Sequence, residues 1–126
     1  MKIAITGASG LIGRALSSSL NASGHTVVPV VRRAVTDGST AITWNPADGT
    51  IDAAGFEGID AVVHLAGAGI GDKRWSDAYK REILESRTKG TELLATTLAS
   101  LDAPPKGMVS GSAIGFYGDT GDSAVD

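Results

Sequence analysis

The residues best suited to chemistry in this chain are Gly7-Ala-Ser-Gly10-Leu-Ile-Gly13, which follow directly on the apolar run Lys2-Ile-Ala-Ile-Thr6. Glycines at this spacing between a strand and a helix can hold a pyrophosphate. Gly7 suits the tight turn at the strand end, Gly10 lets backbone approach phosphate oxygens without a Cβ, and Gly13 lets the following helix pack closely on the sheet. The unpaired N–H groups and positive end of that helix would then face the anion, with Ser9, Leu11 and Ile12 completing the loop.

A second β-branched run, Thr26-Val-Val-Pro-Val-Val31, ends on Arg32-Arg33. A site for an unphosphorylated ribose would usually present Asp or Glu at this point. Two guanidinium groups suit a 2′-phosphate instead, since their planar forks pair with phosphate oxygens and stack on adenine. NADP is therefore the expected cofactor and NAD the alternative. The competing reading is a solvated charge pair beside the turn at 36–39.

Composition narrows the function classes. The 126 residues carry a net charge of −3, with no cluster of Lys and Arg interleaved with aromatics, which argues against a nucleic-acid surface. There is no cysteine, so disulfides, thiolate chemistry and thiolate-bound zinc are excluded. His25 and His64 are far apart, with no acid at ligand spacing to suggest a metal. No window is long and apolar enough to predict a membrane span, and the opening residues do not read as a signal peptide, so the cytoplasm is the expected location.

The elements that must position these residues follow from periodicity. The first helix takes its apolar face from Leu11, Ile12, Ala15, Leu16 and Leu20 and stops near Asn21-Ala-Ser-Gly24. Pro29 removes one donor from the second strand, so only the other side of that residue can carry a ladder. Ile51–Phe56 reads as a short helical turn or loop, with Phe56 as a core plug. Ala61–Leu65 is a strand followed by the small residues 66–69, where a backbone close to a ligand has no space for large side chains. A long helix runs from Ser76 or Asp77 to about Ser100, with Ile83, Leu84, Leu94 and Leu98 apolar and Gly90 a weak point. Met108-Val109 belong to a last strand, with Ile114 and Phe116 in the loop beyond. The order strand, helix, strand, strand, strand, long helix, strand predicts an α/β fold, a doubly wound parallel sheet that is incomplete at its C-terminal side. Its last strand would lie at an edge, closed by further chain if residues 1–126 are the N-terminal portion of a longer protein, or by a partner in a homo-oligomer.

Six motifs span nearly the whole chain: Thr6–Gly13, Trp44-Asn-Pro46, His64-Leu-Ala-Gly67, Asp72-Lys-Arg-Trp75, Ser86-Arg-Thr-Lys-Gly-Thr91 with Glu92-Leu-Leu94, and Ser110-Gly-Ser-Ala-Ile-Gly-Phe-Tyr-Gly118. In these the sequence resembles the N-terminal part of an extended short-chain dehydrogenase/reductase, more narrowly the nucleoside-diphosphate-sugar epimerase-related family. The resemblance implies a Rossmann-like domain in which Gly7, Gly10, Leu11, Ile12 and Gly13 form the cofactor loop. It places Arg32 where many relatives select a phosphorylated cofactor, and Leu65, Ala66 and Gly67 where the chain passes the adenine ribose and pyrophosphate. Ser112 matches the hydroxyl residue that bonds the substrate oxygen beside the nicotinamide, with Ser110 a weaker rival, and Tyr117 matches a tyrosine that contacts substrate. Tyr117 lacks the lysine four residues on that the family's acid–base pair requires, because position 121 is Gly.

Other polar residues carry two readings each. His64 satisfies a local hydrogen bond or stands where relatives have Asn, with contact to a ligand as the lesser alternative. Lys73, Arg74 and Trp75 either form a lip for an anionic or aromatic substrate, or Trp75 plugs the gap under the long helix. Arg87 ties down that loop by an ion pair, and Tyr79 is a packing or surface residue. The expected function is an NADP-dependent oxidoreductase or epimerase acting on a small polar substrate, with this chain as its cofactor-binding half. A non-catalytic NADP-binding regulatory protein and an inactive fragment are the alternatives.

Overall fold

The computed structural model describes residues 1–33, 40–112 and 121–122. Strand β1 (Lys2–Thr6) leads through helix α1 (Leu11–Ala22) to β2 (Thr26–Val31). Strands β3 (Ile42–Asn45) and β4 (Thr50–Ile51) follow, then a 3₁₀ turn at Ala53–Phe56, β5 (Ala61–His64), α2 (Asp77–Ala99) and β6 (Met108–Ser110). The sheet order is β4-β3-β2-β1-β5-β6, and every pairing is parallel except β3 with β4.

From β1 the chain winds outward in both directions, through α1 to β2 on one side and from β5 through α2 to β6 on the other. Right-handed crossovers running opposite ways put the two helices on opposite faces. The α2 face holds the main core: Ala4, Val28, Val30, Ile42, Trp44, Phe56, Ile59, Val62, Leu94 and Leu98. Register explains the grouping, since Ala4 lies opposite both Val28 and Val62, and Val30 opposite Ile42. Ile3 and Ile5 alternate to the other face, where they too are buried.

The expected doubly wound sheet is present, with one strand beyond the sequence reading. The short antiparallel β4 arises from the turn that joins it to β3. There Asn45 donates from Nδ2 to Asp48 at 2.6 Å, while Asp48 accepts from the Thr50 backbone N–H at 3.1 Å and the Thr50 hydroxyl at 2.6 Å. Those bonds hold the Asp48 carboxyl below its ordinary range, the Thr50 hydroxyl contributing most. Gly49 supplies the positive φ of 74° that closes the turn. Pro29 is accommodated because β2 pairs with β3 only from Val30 onward, so position 29 is laddered to β1 alone. At the far edge, among the described residues, β6 is unpaired on its outer side, and Val109 is 68% exposed.

Each helix buries only part of the apolar face expected of it: Leu16 and Leu20 in α1, and Ile83, Leu94 and Leu98 in α2. In α1 the inward positions are Gly13, Leu16, Ser17 and Leu20, whereas Leu11 (84% exposed), Ile12 (67%) and Ala15 face solvent. Gly13 turned to the sheet fixes this phase: at about 100° per residue, 11, 12 and 15 are carried round to the outer side. In α2, Ser76 caps the N-terminus by accepting from Tyr79 N–H at 3.2 Å. Tyr79, Gly90, Leu94, Thr97 and Leu98 are buried, and Leu84 is exposed. Gly90 is a packing position, with Trp44 Cη2 3.5 Å from where a Cβ would sit. Among the described residues no helix is long and apolar enough to cross a membrane.

Phe56 is fully buried in the core. Phe56→Ala is expected to cost about 3–5 kcal/mol, read as a lower midpoint in urea denaturation with the slope unchanged.

Candidate functional site

All five parallel strands end on the same side of the molecule, and the residues singled out in the sequence follow those ends. Gly7 to Gly13 follow β1, Arg32 and Arg33 follow β2, Leu65 to Gly67 follow β5, and Ser112 follows β6. Because the winding reverses between β1 and β5, a crevice at their carboxyl ends is where an open α/β sheet binds ligands.

The glycines of the first loop have different reasons to be glycine. Gly7 has φ +70°, and a Cβ on it would lie 2.9 Å from the Leu65 carbonyl carbon and 3.0 Å from Ala66 N. A Cβ on Gly13 would collide with the Gly7 carbonyl oxygen and lie 2.7 Å from Ala8 Cα. Gly10 differs. Its backbone (φ −72°, ψ 174°) is open to any residue, and its Cβ would meet only the Gly7 carbonyl oxygen, at 3.3 Å. It is the N-cap of α1, with no side-chain cap and no acidic residue in the first turn. The first N–H groups of α1 therefore have no protein acceptor supplied by a cap, and the helix dipole is uncompensated there.

The strand end opposite is clasped to β1 by one hydroxyl. Thr6 Oγ1 accepts from the N–H groups of Leu65 and Ala66, each at 3.1 Å, and lies 2.7 Å from His64 Nδ1. His64 is 3% exposed and meets Trp44 edge to face, with ring centroids 5.8 Å apart. Burial pushes its pKa below the ordinary histidine value.

Beyond Gly67 the loop is fastened to α2. Ala68 N–H donates to Ser86 Oγ at 3.0 Å, Arg87 Nη1 donates to the carbonyls of Ala68 (3.2 Å) and Ile83 (3.1 Å), and Tyr79 donates its hydroxyl to the Gly69 carbonyl. Arg87 thus ties the loop as expected, but to backbone carbonyls rather than through an ion pair. The Arg87 guanidinium carbon lies 3.4 Å from where a Gly67 Cβ would sit, and the Asp72 carboxylate fills that position at Gly69. The small residues here accommodate the protein's own side chains as well as any ligand. Tyr79 is a buried packing residue. Trp75 is 57% exposed and donates from Nε1 to the Ile70 carbonyl at 2.6 Å, so it is not a plug under α2. Lys73 pairs with Glu82 at 3.4 Å and lies 5.1 Å from the Tyr79 ring centre.

Arg32 and Arg33 are exposed. Arg32 lines an open cleft of about 290 Å³ with Thr43, Asn45 and Asp52, and a second of about 700 Å³ with Arg33 and Asn45. Ser112 is exposed just beyond Gly111, whose N–H donates to the His64 carbonyl at 2.9 Å, and Ser110 is exposed at the end of β6. Tyr117, Ile114 and Phe116 lie outside the described residues. The sequence reading missed Thr6, Ser86 and the mutual fixation of Thr6 with residues 64–66. The one available signal was Thr6 as a polar residue at the end of an apolar strand.

A parallel sheet with a glycine loop at its switch point and a fastened loop opposite defines the dinucleotide-fold class of α/β proteins. The family model that matches, over residues 3–125, is that of the NAD dependent epimerase/dehydratase family, and the chain belongs to it. An epimerase family protein of Mycobacterium bovis is 44% identical over 124 residues, 98% of this chain and 40% of that protein. The crystal structure of the human epimerase family protein SDR39U1 (isoform 2) with NADPH is 36% identical, with a TM-score of 0.76 over 93% of this chain and 38% of that one. MoeE5 in complex with UDP-glucose and NAD is 28% identical, with a TM-score of 0.73 over 99% of this chain and 40% of that one. The chain spans about 40% of the length of the curated mycobacterial relatives that it matches.

The contrast between the loop glycines is testable by stability alone. Gly13→Ala is expected to cost about 3 kcal/mol through backbone overlap, and Gly10→Ala at most about 1 kcal/mol, the weaker N-cap being its main effect. Thermal and urea denaturation of the two variants would show the difference.

Proposed function

We propose that this chain is the cofactor-binding half of an NADP-dependent oxidoreductase or sugar-nucleotide epimerase-like enzyme. The observation that carries the reading is Gly10. Its neighbours Gly7 and Gly13 are required by the protein's own backbone, whereas a Cβ on Gly10 would meet a single atom, the Gly7 carbonyl oxygen at 3.3 Å, at the start of α1, which has no side-chain cap. A glycine whose internal constraint is this much weaker than its neighbours', placed at the first N–H groups of a helix, fits the close approach of a phosphate. Membership of the NAD dependent epimerase/dehydratase family, with NADPH bound in the related SDR39U1 structure and NAD in that of MoeE5, supports a nicotinamide dinucleotide as the ligand.

Specificity for the phosphorylated form is assigned to Arg32 and Arg33. They extend from the end of β2, where the adenosine ribose lies in this class of fold, and a guanidinium can take a 2′-phosphate in a bidentate pair. When bound, the dinucleotide supplies hydride acceptor or donor chemistry. Leu65, Ala66 and Gly67 flank it on the β5 side, and Ser112, at the end of β6, holds the substrate oxygen and steadies charge that develops on it. Tyr117 is assigned to substrate contact. The substrate is a small polar molecule, a sugar nucleotide being the class suggested by UDP-glucose in the MoeE5 structure.

Calorimetric titration with NADP⁺, NAD⁺ and 2′,5′-ADP tests the reading. Wild-type protein is expected to prefer the 2′-phosphorylated ligands. Arg32→Ala should weaken those by about 10- to 100-fold, the value of one charged hydrogen-bonding contact, and leave NAD⁺ nearly unchanged. Gly10→Ala should weaken all dinucleotides without unfolding the chain. Equal affinity for NAD⁺ and NADP⁺ in wild-type protein would overturn the NADP assignment, and undiminished binding by Gly10→Ala would overturn the phosphate site.

A further inference from the structure

Behind the segment assigned to the cofactor lies a buried hydrogen-bond relay whose proton positions follow from valence. A hydroxyl has one proton and two acceptor lone pairs, and a backbone N–H can only donate. The Leu65 and Ala66 amides therefore occupy the acceptor side of Thr6 Oγ1, and the single hydroxyl proton is left for His64 Nδ1. Nδ1 is then an acceptor, the imidazole is neutral, and its proton sits on Nε2. The Leu65 amide is shared with the Thr6 carbonyl oxygen at 3.2 Å, whereas among the described residues Ala66 N–H has Thr6 Oγ1 as its acceptor.

Among the described residues, the neighbours of His64 offer an imidazolium no counter-charge. Thr6 from β1, Trp44 from β3 and Ser110 beside His64 in register on β6 are all uncharged. On α2 the Arg87 guanidinium is engaged by the Ala68 and Ile83 carbonyls, Lys89 pairs with Glu85 at 2.8 Å, and Glu92 is exposed. Burial, with no opposing charge, is what lowers the histidine pKa.

We infer that His64 is a positioning residue for the Leu65–Ala66 segment, and that the segment keeps its ligand-facing conformation only while the imidazole is neutral. Protonation puts a hydrogen on Nδ1 pointing at an oxygen whose lone pairs are already taken, and it leaves the Thr6 hydroxyl proton without its acceptor. The hydroxyl must reorient, and of its two amide donors Leu65 can fall back on the Thr6 carbonyl oxygen, whereas Ala66 N–H has no second acceptor among the described residues and loses protection. The disturbance reaches the phosphate loop directly, because the backbone of Leu65 and Ala66 is packed against Gly7 with no space for even a Cβ between them. That the segment faces a dinucleotide rests on the proposed function; the relay itself does not.

The test combines imidazole ¹⁵N NMR, amide exchange at Ala66 and 2′,5′-ADP binding as functions of pH, in wild-type protein, His64→Asn and His64→Leu. Asn puts an acceptor oxygen near the Nδ1 position but does not titrate; Leu has no acceptor. At neutral pH wild-type His64 is expected to carry its proton on Nε2. As pH falls through the titration of His64, Ala66 should lose protection and affinity should fall by up to about tenfold per pH unit, the limit for one linked proton. The ligand's own phosphate titrates near pH 6, so the difference from His64→Asn is the informative quantity. That variant should keep Ala66 protected across the range, and His64→Leu should lack protection at every pH. A proton on Nδ1 at neutral pH, or the same acid-dependent loss in His64→Asn, would overturn the inference, and both readings survive if His64→Leu fails to fold. Tautomer and exchange need no dinucleotide, so absence of binding at every pH would sink the cofactor reading and leave the relay standing.

Discussion

The Gly7 carbonyl oxygen lies where α1 crosses the end of β1, and much of the site depends on it. It accepts the Gly10 N–H at 3.0 Å, which closes the turn after β1, and it lies where a side chain at Gly13 would have to be. The helix can therefore reach the sheet only with Gly13 turned inward. Once that phase is fixed, Leu11 and Ile12 must point outward and the first N–H groups of α1 must open toward the ends of β1 and β5. One steric contact thus decides the helix direction, the exposed apolar pair and the direction of the uncapped dipole.

The opposite wall is held in another way. Residues 65–70 have little apolar side chain to bury, so hydrogen bonds fix them: Thr6 from below, then Ser86, Arg87 and Tyr79 from α2. Each bond contributes only about 0.5–1.5 kcal/mol net. Together they hold a short, glycine-rich stretch that its own sequence could not keep in one conformation. The arrangement also explains why α2 is long and weakly amphipathic. Its C-terminal half packs the core with Leu94 and Leu98, while its N-terminal half carries the polar groups that hold the loop.

Features set by local sequence were legible. Strands β1, β2, β5 and β6, the limits of both helices, Phe56 in the core and the stop at Gly24 all follow from periodicity, capping and the conformational freedom of glycine. What escaped depends on partners far along the chain. The outward turn of Leu11 and Ile12 depends on Gly7, and the role of Arg87 on carbonyls nineteen and four residues away. The β4 strand rests on a short-range network of Asn45, Asp48 and Thr50 that period-based reading passes over, because it stabilises a turn rather than an alternating face. His64 shows the limit most clearly: a local hydrogen bond was foreseeable, whereas its direction requires knowing that two amides from the following residues already fill the hydroxyl.

Charge is distributed so that the interior and the rim do separate work. Arg32 and Arg33 stay in water, where they can meet an anion without a prior cost of desolvation, and where salt weakens their pull. Beneath them the residues that set loop geometry are neutral: glycine, threonine and a histidine kept uncharged by burial. A charged group in that inner layer would require a buried counter-charge, and the backbone amides there already have their acceptor in Thr6 Oγ1. Substitution at the rim therefore disturbs little beneath it, while the inner layer tolerates little exchange, because Thr6 Oγ1 accepts from two amides and meets His64 Nδ1 at once.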